Sequence, residues 1–127
     1  MTFTAVTEGI KVSVNVKYEG FIATRQKYAF SYQILIENNS SSTVQLLRRH
    51  WFITDSNGQK KEVEGAGVIG EQPILKPNQK HQYSSWCPLD TDIGEMYGTY
   101  LMERSWDGEQ FKVEVPLFKF IVPTRLN

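Results

Sequence analysis

The chain has 127 residues, a length at which one domain buries roughly two thirds of the surface exposed by the unfolded chain. Its 14 Lys and Arg residues balance its 14 Asp and Glu residues, so the positive field that attracts nucleic acid or anionic lipid is missing. We therefore predict a single domain over residues 1–127, with no nucleic-acid partner and no membrane association.

We predict that the chain carries neither a membrane span nor an export signal. No stretch reaches the roughly 18 apolar residues of a membrane helix, and residues 1–9 lack both a basic leader and an apolar run. Cys87 is the single cysteine, which excludes an intrachain disulfide and a zinc site built on paired cysteines. These observations predict a cytoplasmic protein.

Alternation of apolar and polar residues predicts the first two strands. Between residues 10 and 18, one face of the strand is apolar and carries Ile10, Val12, Val14, Val16 and Tyr18. Between residues 28 and 36, the same pattern recurs with Tyr28, Phe30, Tyr32, Ile34 and Ile36. The polar residues 38–42 then end the second strand with a loop. Each strand is expected to have one buried and one solvated face.

The next segment predicts a bent strand followed by a hairpin. Its apolar positions begin on even numbers and finish on odd ones: Val44, Leu46, Trp51 and Ile53. Such a change of phase indicates a bulge near Arg48. Asn57–Gly58 then gives the strongest short hairpin signal, because both turn residues must accept positive φ. We predict one hairpin over residues 51–64.

The remaining chain predicts three more strands. Pro73 and Pro77 exclude a long helix before a strand at residues 80–88. A last hairpin joins residues 96–104 to residues 109–115 around Asp107–Gly108, with the inward face formed by Phe111, Val113 and Val115. The tail, residues 118–127, carries three apolar residues and is expected to pack against the body: Phe118, Phe120 and Ile121.

About seven antiparallel strands without helical periodicity fit either a sandwich or a barrel. Because closing a barrel would need more uniform strands, we predict an all-β, two-sheet sandwich of the immunoglobulin or fibronectin type III kind.

Residues 65–70 read GAGVIG and match the G-x-G-x-x-G pattern of dinucleotide-binding folds. Those folds place a helix N-terminus at the motif, whereas here a hairpin precedes it and prolines follow. Two interpretations remain open. The backbone N–H groups around Gly65, Gly67 and Gly70 form an anion-binding concavity, or the glycines only permit a turn and close packing.

Arg48, Arg49 and His50 form the densest cationic run, and Lys60 and Lys61 lie across the predicted hairpin. Together they could hold phosphate or carboxylate. Alternation along the strand could instead place some of them in solvent and others over apolar neighbours.

Other chemically active groups lack suitable partners in the sequence. His81 has no second histidine or carboxylate at a useful local spacing, and Cys87 has no neighbouring base. Asp90, Asp92 and Glu95 gather in one loop, but a calcium loop needs about twelve residues and a further oxygen ligand. A divalent-metal sensor would depend on these three carboxylates alone. We predict no catalytic residue, no cofactor and no metal site.

Three segments resemble the ApaG family in their order and spacing. They are QLLRRHW with ITD at residues 45–55, GAGVIGEQP at residues 65–73, and GEMYGTY at residues 94–100. The resemblance implies a fibronectin type III-like sandwich and links to diadenosine tetraphosphate metabolism and to cobalt and magnesium resistance. Because the domain also occurs fused to F-box and polymerase-interacting proteins, it implies a protein-contact module. Trp86 departs from the family, which usually has glycine after the preceding serine.

Two functional hypotheses follow. The first is a non-catalytic module, monomeric or weakly dimeric, that binds a protein through its loops and a sheet edge, with contacts at Arg49, His50 and residues 65–70. The alternative is a nucleotide or polyphosphate binder of the diadenosine tetraphosphate type, with weak hydrolase activity left open. In the alternative, Gly65, Gly67, Gly70 and the cations at 48–50 surround the phosphates.

Overall fold

The structure is a computed structural model that describes the backbone of residues 2–126 and the side chains of residues 2–124. Within this range the chain forms nine β-strands and a terminal 3-10 helix. They are β1 (Thr2–Thr7), β2 (Ile10–Ile22), β3 (Lys27–Asn38), β4 (Val44–Asp55), β5 (Lys60–Ala66), β6 (Ile74–Leu75), β7 (Lys80–Leu89), β8 (Ile93–Arg104), β9 (Gln110–Ile121) and the helix Pro123–Leu126.

The strands form two antiparallel sheets that pack face to face. The first sheet has the order β1-β2-β3-β7, and the second has the order β5-β4-β8-β9, with β6 pairing with the start of β4. On one side of the sandwich, β9 packs against β1 and β2, and the Glu114 N–H donates to Thr7 Oγ1 at 3.1 Å. On the other side, the edge strands β5 and β7 have no strand pairing with each other. The sandwich is therefore closed on one side and open on the other.

One hydrophobic core lies between the sheets. Ile10, Val12 and Val14 of β2 are fully buried, which confirms the inward face predicted from alternation. Each such side chain contributes about 1.5–3 kcal/mol through loss of apolar contact with water. Three aromatic rings join the sheets at the centre of this core. Tyr32 of β3 lies 6.1 Å from Trp51 of β4 and 5.5 Å from Phe118 of β9, measured between ring centroids.

The two-sheet sandwich, and not a barrel, is confirmed, while its closer assignment to the immunoglobulin or fibronectin type III kind stays a prediction. The bulge predicted near Arg48 is present, since the β4–β8 register shifts between Leu46 and Arg48. Both predicted hairpins form, as β4–β5 and β8–β9. The strands outnumber the predicted seven because β1 was not recognised and β6 is only two residues long. Part of the expected tail is the end of β9, where Phe118 and Phe120 are fully buried.

The hairpin turn at residues 55–59 forms for a different reason from the one predicted. Gly58 has a positive φ of 88°, but Asn57 is not among the residues with positive φ. The Gly58 N–H donates to the Asp55 carbonyl at 3.1 Å, and the Gln59 N–H donates to Asn57 Oδ1 at 3.0 Å. Asn57 therefore stabilises a longer loop through its side chain instead of a two-residue turn through its backbone.

The pairing of β4 with β8 depends on a glycine. Gly98 lies opposite Trp51, where a Cβ atom would stand 2.0 Å from the His50 carbonyl oxygen and 2.9 Å from the Trp51 ring. A side chain at this position therefore cannot fit unless the two strands separate.

We expect Gly98→Ala to lower the free energy of unfolding by at least about 2 kcal/mol, because the methyl group overpacks a strand junction. Urea unfolding measures the change. Gly70→Asn is the matched control, because a Cβ at Gly70 meets no atom within 4 Å and asparagine tolerates its φ of 74°. Equal stability of the two variants would contradict the steric account.

Candidate functional site

A cleft of about 400 Å³ opens between the sheets on the side of the edge strands β5 and β7. We call it the edge cleft. The first sheet contributes Tyr32, Tyr83, Ser85 and Trp86, and the second sheet with its glycine turn contributes Arg49, Trp51, Ile53, Val63, Ala66, Val68, Ile69, Gly70 and Met96. A smaller hollow of about 120 Å³ adjoins it and includes Asp55, Lys61 and Cys87. The larger volume lies within the usual range of ligand sites.

The register of β4 separates the three cations of the predicted site. Arg49 lies opposite the buried Tyr100 on one side and Gly65 on the other, so its side chain faces the interior and lines the edge cleft. Arg48 and His50 are its neighbours along the strand and face the outer surface of the second sheet, since successive residues alternate. Of these three cations, Arg49 alone therefore lines the edge cleft.

Arg49 is held by backbone groups of the turn. Its Nη1 donates to the carbonyl oxygens of Ala66 and Gly67, each at 3.0 Å. The guanidinium lies over Gly65, where a Cβ atom would be 3.1 Å from Nη1. Arg49 makes no ion pair with any carboxylate among residues 2–124. A half-buried cation is thus oriented by carbonyl dipoles alone.

The predicted glycine motif forms the end of β5 and a tight turn. Val68 and Glu71 exchange backbone hydrogen bonds of 2.8 and 3.0 Å across Ile69 and Gly70, whose φ values are 48° and 74°. Two consecutive positive φ angles make this a type I′ turn. The Gly67 N–H donates to the Leu47 carbonyl at 2.9 Å.

These bonds occupy the backbone N–H groups of three turn residues, Gly67, Val68 and Glu71. Gly67 also permits close packing, because a Cβ there would stand 2.3 Å from the Glu71 carbonyl oxygen. The turn and packing roles of the glycines are thus visible. An anion-binding role for Gly65 to Gly70 stays a prediction.

Three of the residues that line the edge cleft are exposed and apolar. Ile69 and Trp86 are each 62% exposed, and Val63 is 39% exposed. Ile69 is also strained, because a β-branched residue in the left-handed region costs about 1–2 kcal/mol. Exposed apolar groups that gather at one cleft are typical of interaction surfaces.

Among the described residues that line the edge cleft, Arg49 is the only charged one, and Tyr32, Tyr83 and Ser85 add hydroxyl groups. The hydroxyl groups of Tyr83 and Tyr100 share a hydrogen bond of 2.5 Å. Burial raises the pKa of Tyr32, of Tyr83 and of Tyr100. These phenols are therefore neutral hydrogen-bonding groups at neutral pH.

Most residues that line the edge cleft were not among the site residues predicted from the sequence. Tyr83 and Ser85 share the inward face of β7 with Cys87, so extending the alternation along this strand would have found both.

A second group of side chains lies on the outer face of the second sheet. His50 Nε2 is 2.9 Å from Glu62 Oε2, and His50 Nδ1 is 4.0 Å from Glu64 Oε1. The three residues offer ligand atoms within 4.8 Å of one another, so they could accept a divalent ion. The prediction of no metal site considered only local spacing, whereas the β4–β5 pairing brings distant residues together.

Asp90, Asp92 and Glu95 are not such a group among the residues that the structure describes. Asp90 forms an ion pair with Lys27, whose hydrogen bond lowers the pKa of the carboxyl group. His81 Nε2 lies 3.7 Å from Glu71 Oε2, which links β7 to the glycine turn.

The described residues contain no helix that is long and apolar enough to cross a membrane.

The architecture and site define a small antiparallel β-sandwich domain with a cleft at one open edge and a glycine turn beside it. The family model of the ApaG domain matches residues 19–104, more than half of the chain. Protein ApaG of Brucella canis is 48% identical over 123 residues, covering 95% of this chain and 94% of the relative. Protein ApaG of Sinorhizobium fredii is 46% identical with the same coverage. This chain belongs to the ApaG family.

Solved structures agree with this assignment. An X-ray structure of the structural genomics target SoR45 has a TM-score of 0.90 and 42% identity, covering 97% of this chain and 94% of the other. A crystal structure of an ApaA protein from Bordetella pertussis has a TM-score of 0.84 and 40% identity, covering 90% and 94%. The fold is therefore that of the family.

Cys87 should make the stability of the fold depend on alkaline pH. Burial raises the pKa of its thiol from the ordinary 9.0 to about 12. Between these two values the unfolded chain loses the proton while the folded chain keeps it, so stability is full below pH 9 and declines above it.

We expect Cys87→Ala to reduce the decline in unfolding free energy over that range by about 1.4 kcal/mol per pH unit. The buried tyrosines contribute equally in both proteins, so the difference in slope isolates the thiol. Urea unfolding at a series of pH values measures it, and identical slopes would contradict the assigned cause.

Proposed function

We propose that this ApaG-family protein is a non-catalytic binding module that docks an extended segment of a partner protein at the edge cleft. The observation that carries the proposal is the apolar rim, formed by Val63, Ile69 and Trp86 around a cleft of about 400 Å³. Keeping these side chains in water costs free energy, which burial by a partner would recover.

The neighbouring sheet edges supply main-chain groups for such a partner. β5 and β7 each have one unpaired side, where an added strand could form backbone hydrogen bonds. β5 carries four charged side chains, Lys60, Lys61, Glu62 and Glu64, which would lose water on pairing. On β7 the exposed positions after Lys80 are uncharged: Gln82, Ser84, Trp86 and Pro88. We therefore assign the docking edge to β7.

Polyphosphate binding receives less support from the same geometry. A nucleotide phosphate chain needs several cations or free N–H groups around it. Arg49 alone of the cationic run lines the edge cleft, and the N–H groups of Gly67, Val68 and Glu71 already donate to carbonyls. The absence of catalysis and the cytoplasmic location stay predictions.

Panning a library of displayed peptides on the immobilised protein tests this function. We expect extended peptides to be enriched, and Trp86→Ala to weaken the best of them by at least about 10-fold, because truncating an aromatic side chain that anchors a partner costs about this much or more. Calorimetry of the synthetic peptide measures the affinity.

Trp106→Ala is the matched control, since Trp106 is 75% exposed and lies in the β8–β9 turn. It should leave the affinity within about twofold of wild type. Failure to enrich any peptide, or equal losses in the two variants, would count against a docking site at the edge cleft.

A further inference from the structure

The edge cleft contains a cation, Arg49, that forms no ion pair with a carboxylate among residues 2–124. Arg49 is half-buried, and its Nη1 donates hydrogen bonds to two carbonyl oxygens, those of Ala66 and Gly67. Arg104, by contrast, meets three carboxylates, those of Glu8, Asp107 and Glu109. A guanidinium has five donor N–H groups, so the two carbonyl bonds orient Arg49 without exhausting it.

We propose that the edge cleft binds one carboxylate group together with an adjacent apolar side chain, both carried by the docked segment. This inference rests on the proposed function and adds the chemistry of the partner. The carboxylate forms an ion pair with Arg49, and the apolar side chain contacts the rim formed by Val63, Ile69 and Trp86. Arginine suits this role because its planar group recognises carboxylates with directional hydrogen bonds.

The number of charges favours a carboxylate over a phosphate chain. Arg49 balances one negative charge, and Lys61 lies in the adjoining hollow, so a further charge brought into the edge cleft itself would be desolvated without a partner there. The hydroxyl groups nearby, those of Tyr83 and Ser85, are neutral and can donate hydrogen bonds to the same anion. A group with one charge and two acceptor oxygens matches this set.

A pair of probes isolates the carboxylate. N-acetyl-phenylalanine and N-acetyl-phenylalaninamide share a ring and differ in charge. Titrated into ¹⁵N-labelled protein, the acid should shift the amide signals of Ser85 and of residues 65–70, and the indole signal of Trp86. We expect the acid to bind at least about 10-fold more tightly than the amide, as one charge-assisted interaction predicts. Equal affinities, or no shift from the acid, would overturn the proposal.

Neighbouring arginines provide the matched variants. Arg49→Gln should remove the preference for the acid, whereas Arg48→Gln, on the outer face of β4, should keep it. An acid preference that survives Arg49→Gln in a folded protein would also overturn the proposal. If Arg49→Gln does not give a dispersed spectrum, the comparison of acid with amide on the wild-type protein decides alone.

Two further arms separate this inference from the proposed function. If the peptide selected by panning binds in a Trp86-dependent manner while the acid gains nothing over the amide, the carboxylate inference fails and the docking function stands. If the acid binds but no peptide does, the cleft recognises small carboxylates and the docking function fails. Tighter binding of ATP than of the acid, dependent on Arg49, would overturn the carboxylate inference in favour of phosphate.

Discussion

The arrangement of this molecule depends on one irregularity, the bulge between Leu46 and Arg48 in β4. A regular strand would keep all its even or all its odd positions inside, so Leu46 and Trp51 could not both be buried. The extra residue changes the phase, and both side chains enter the core. The same change turns Arg49 inward. A backbone defect required by packing therefore also sets the electrostatics of the edge cleft.

The cleft exists because the two sides of the sandwich are filled differently. On the closed side, β9 packs against β1 and β2, and Phe118 and Phe120 fill the space between the sheets. On the open side, among apolar residues such as Trp51 and Ile53, the inward positions also carry polar or cationic groups, with Arg49 opposite a glycine and Ser85 on the facing strand. Such groups cannot form a dry core, so this side stays accessible. The aromatic contacts of Tyr32 mark the boundary between the two regions.

The sequence predicted what depends on local periodicity and missed what depends on pairing. Alternation from Ile10 and from Tyr28 indicated the strands and their inward faces, and the phase change indicated the bulge. β1 escaped notice because its positions are exposed or half-buried and give a weak pattern. The approach of Glu62 and Glu64 to His50 follows from hairpin register, which turn length sets and composition does not reveal. Whether Arg48 or Arg49 faces inward likewise depends on the exact position of the bulge residue in β4, which the sequence does not give.

The unequal edges of the open side have a consequence for stoichiometry. A partner strand added to β7 would expose its own far edge to solvent. The β5 edge of a second molecule is charged and is therefore poorly suited to pair with that exposed edge. The other edges, β1 and β9, lie on the side where the two sheets pack together. Growth by head-to-tail stacking would therefore stop after a single addition. If β7 is the docking edge, as we propose, the protein would form discrete pairs with its target and would resist assembly into filaments.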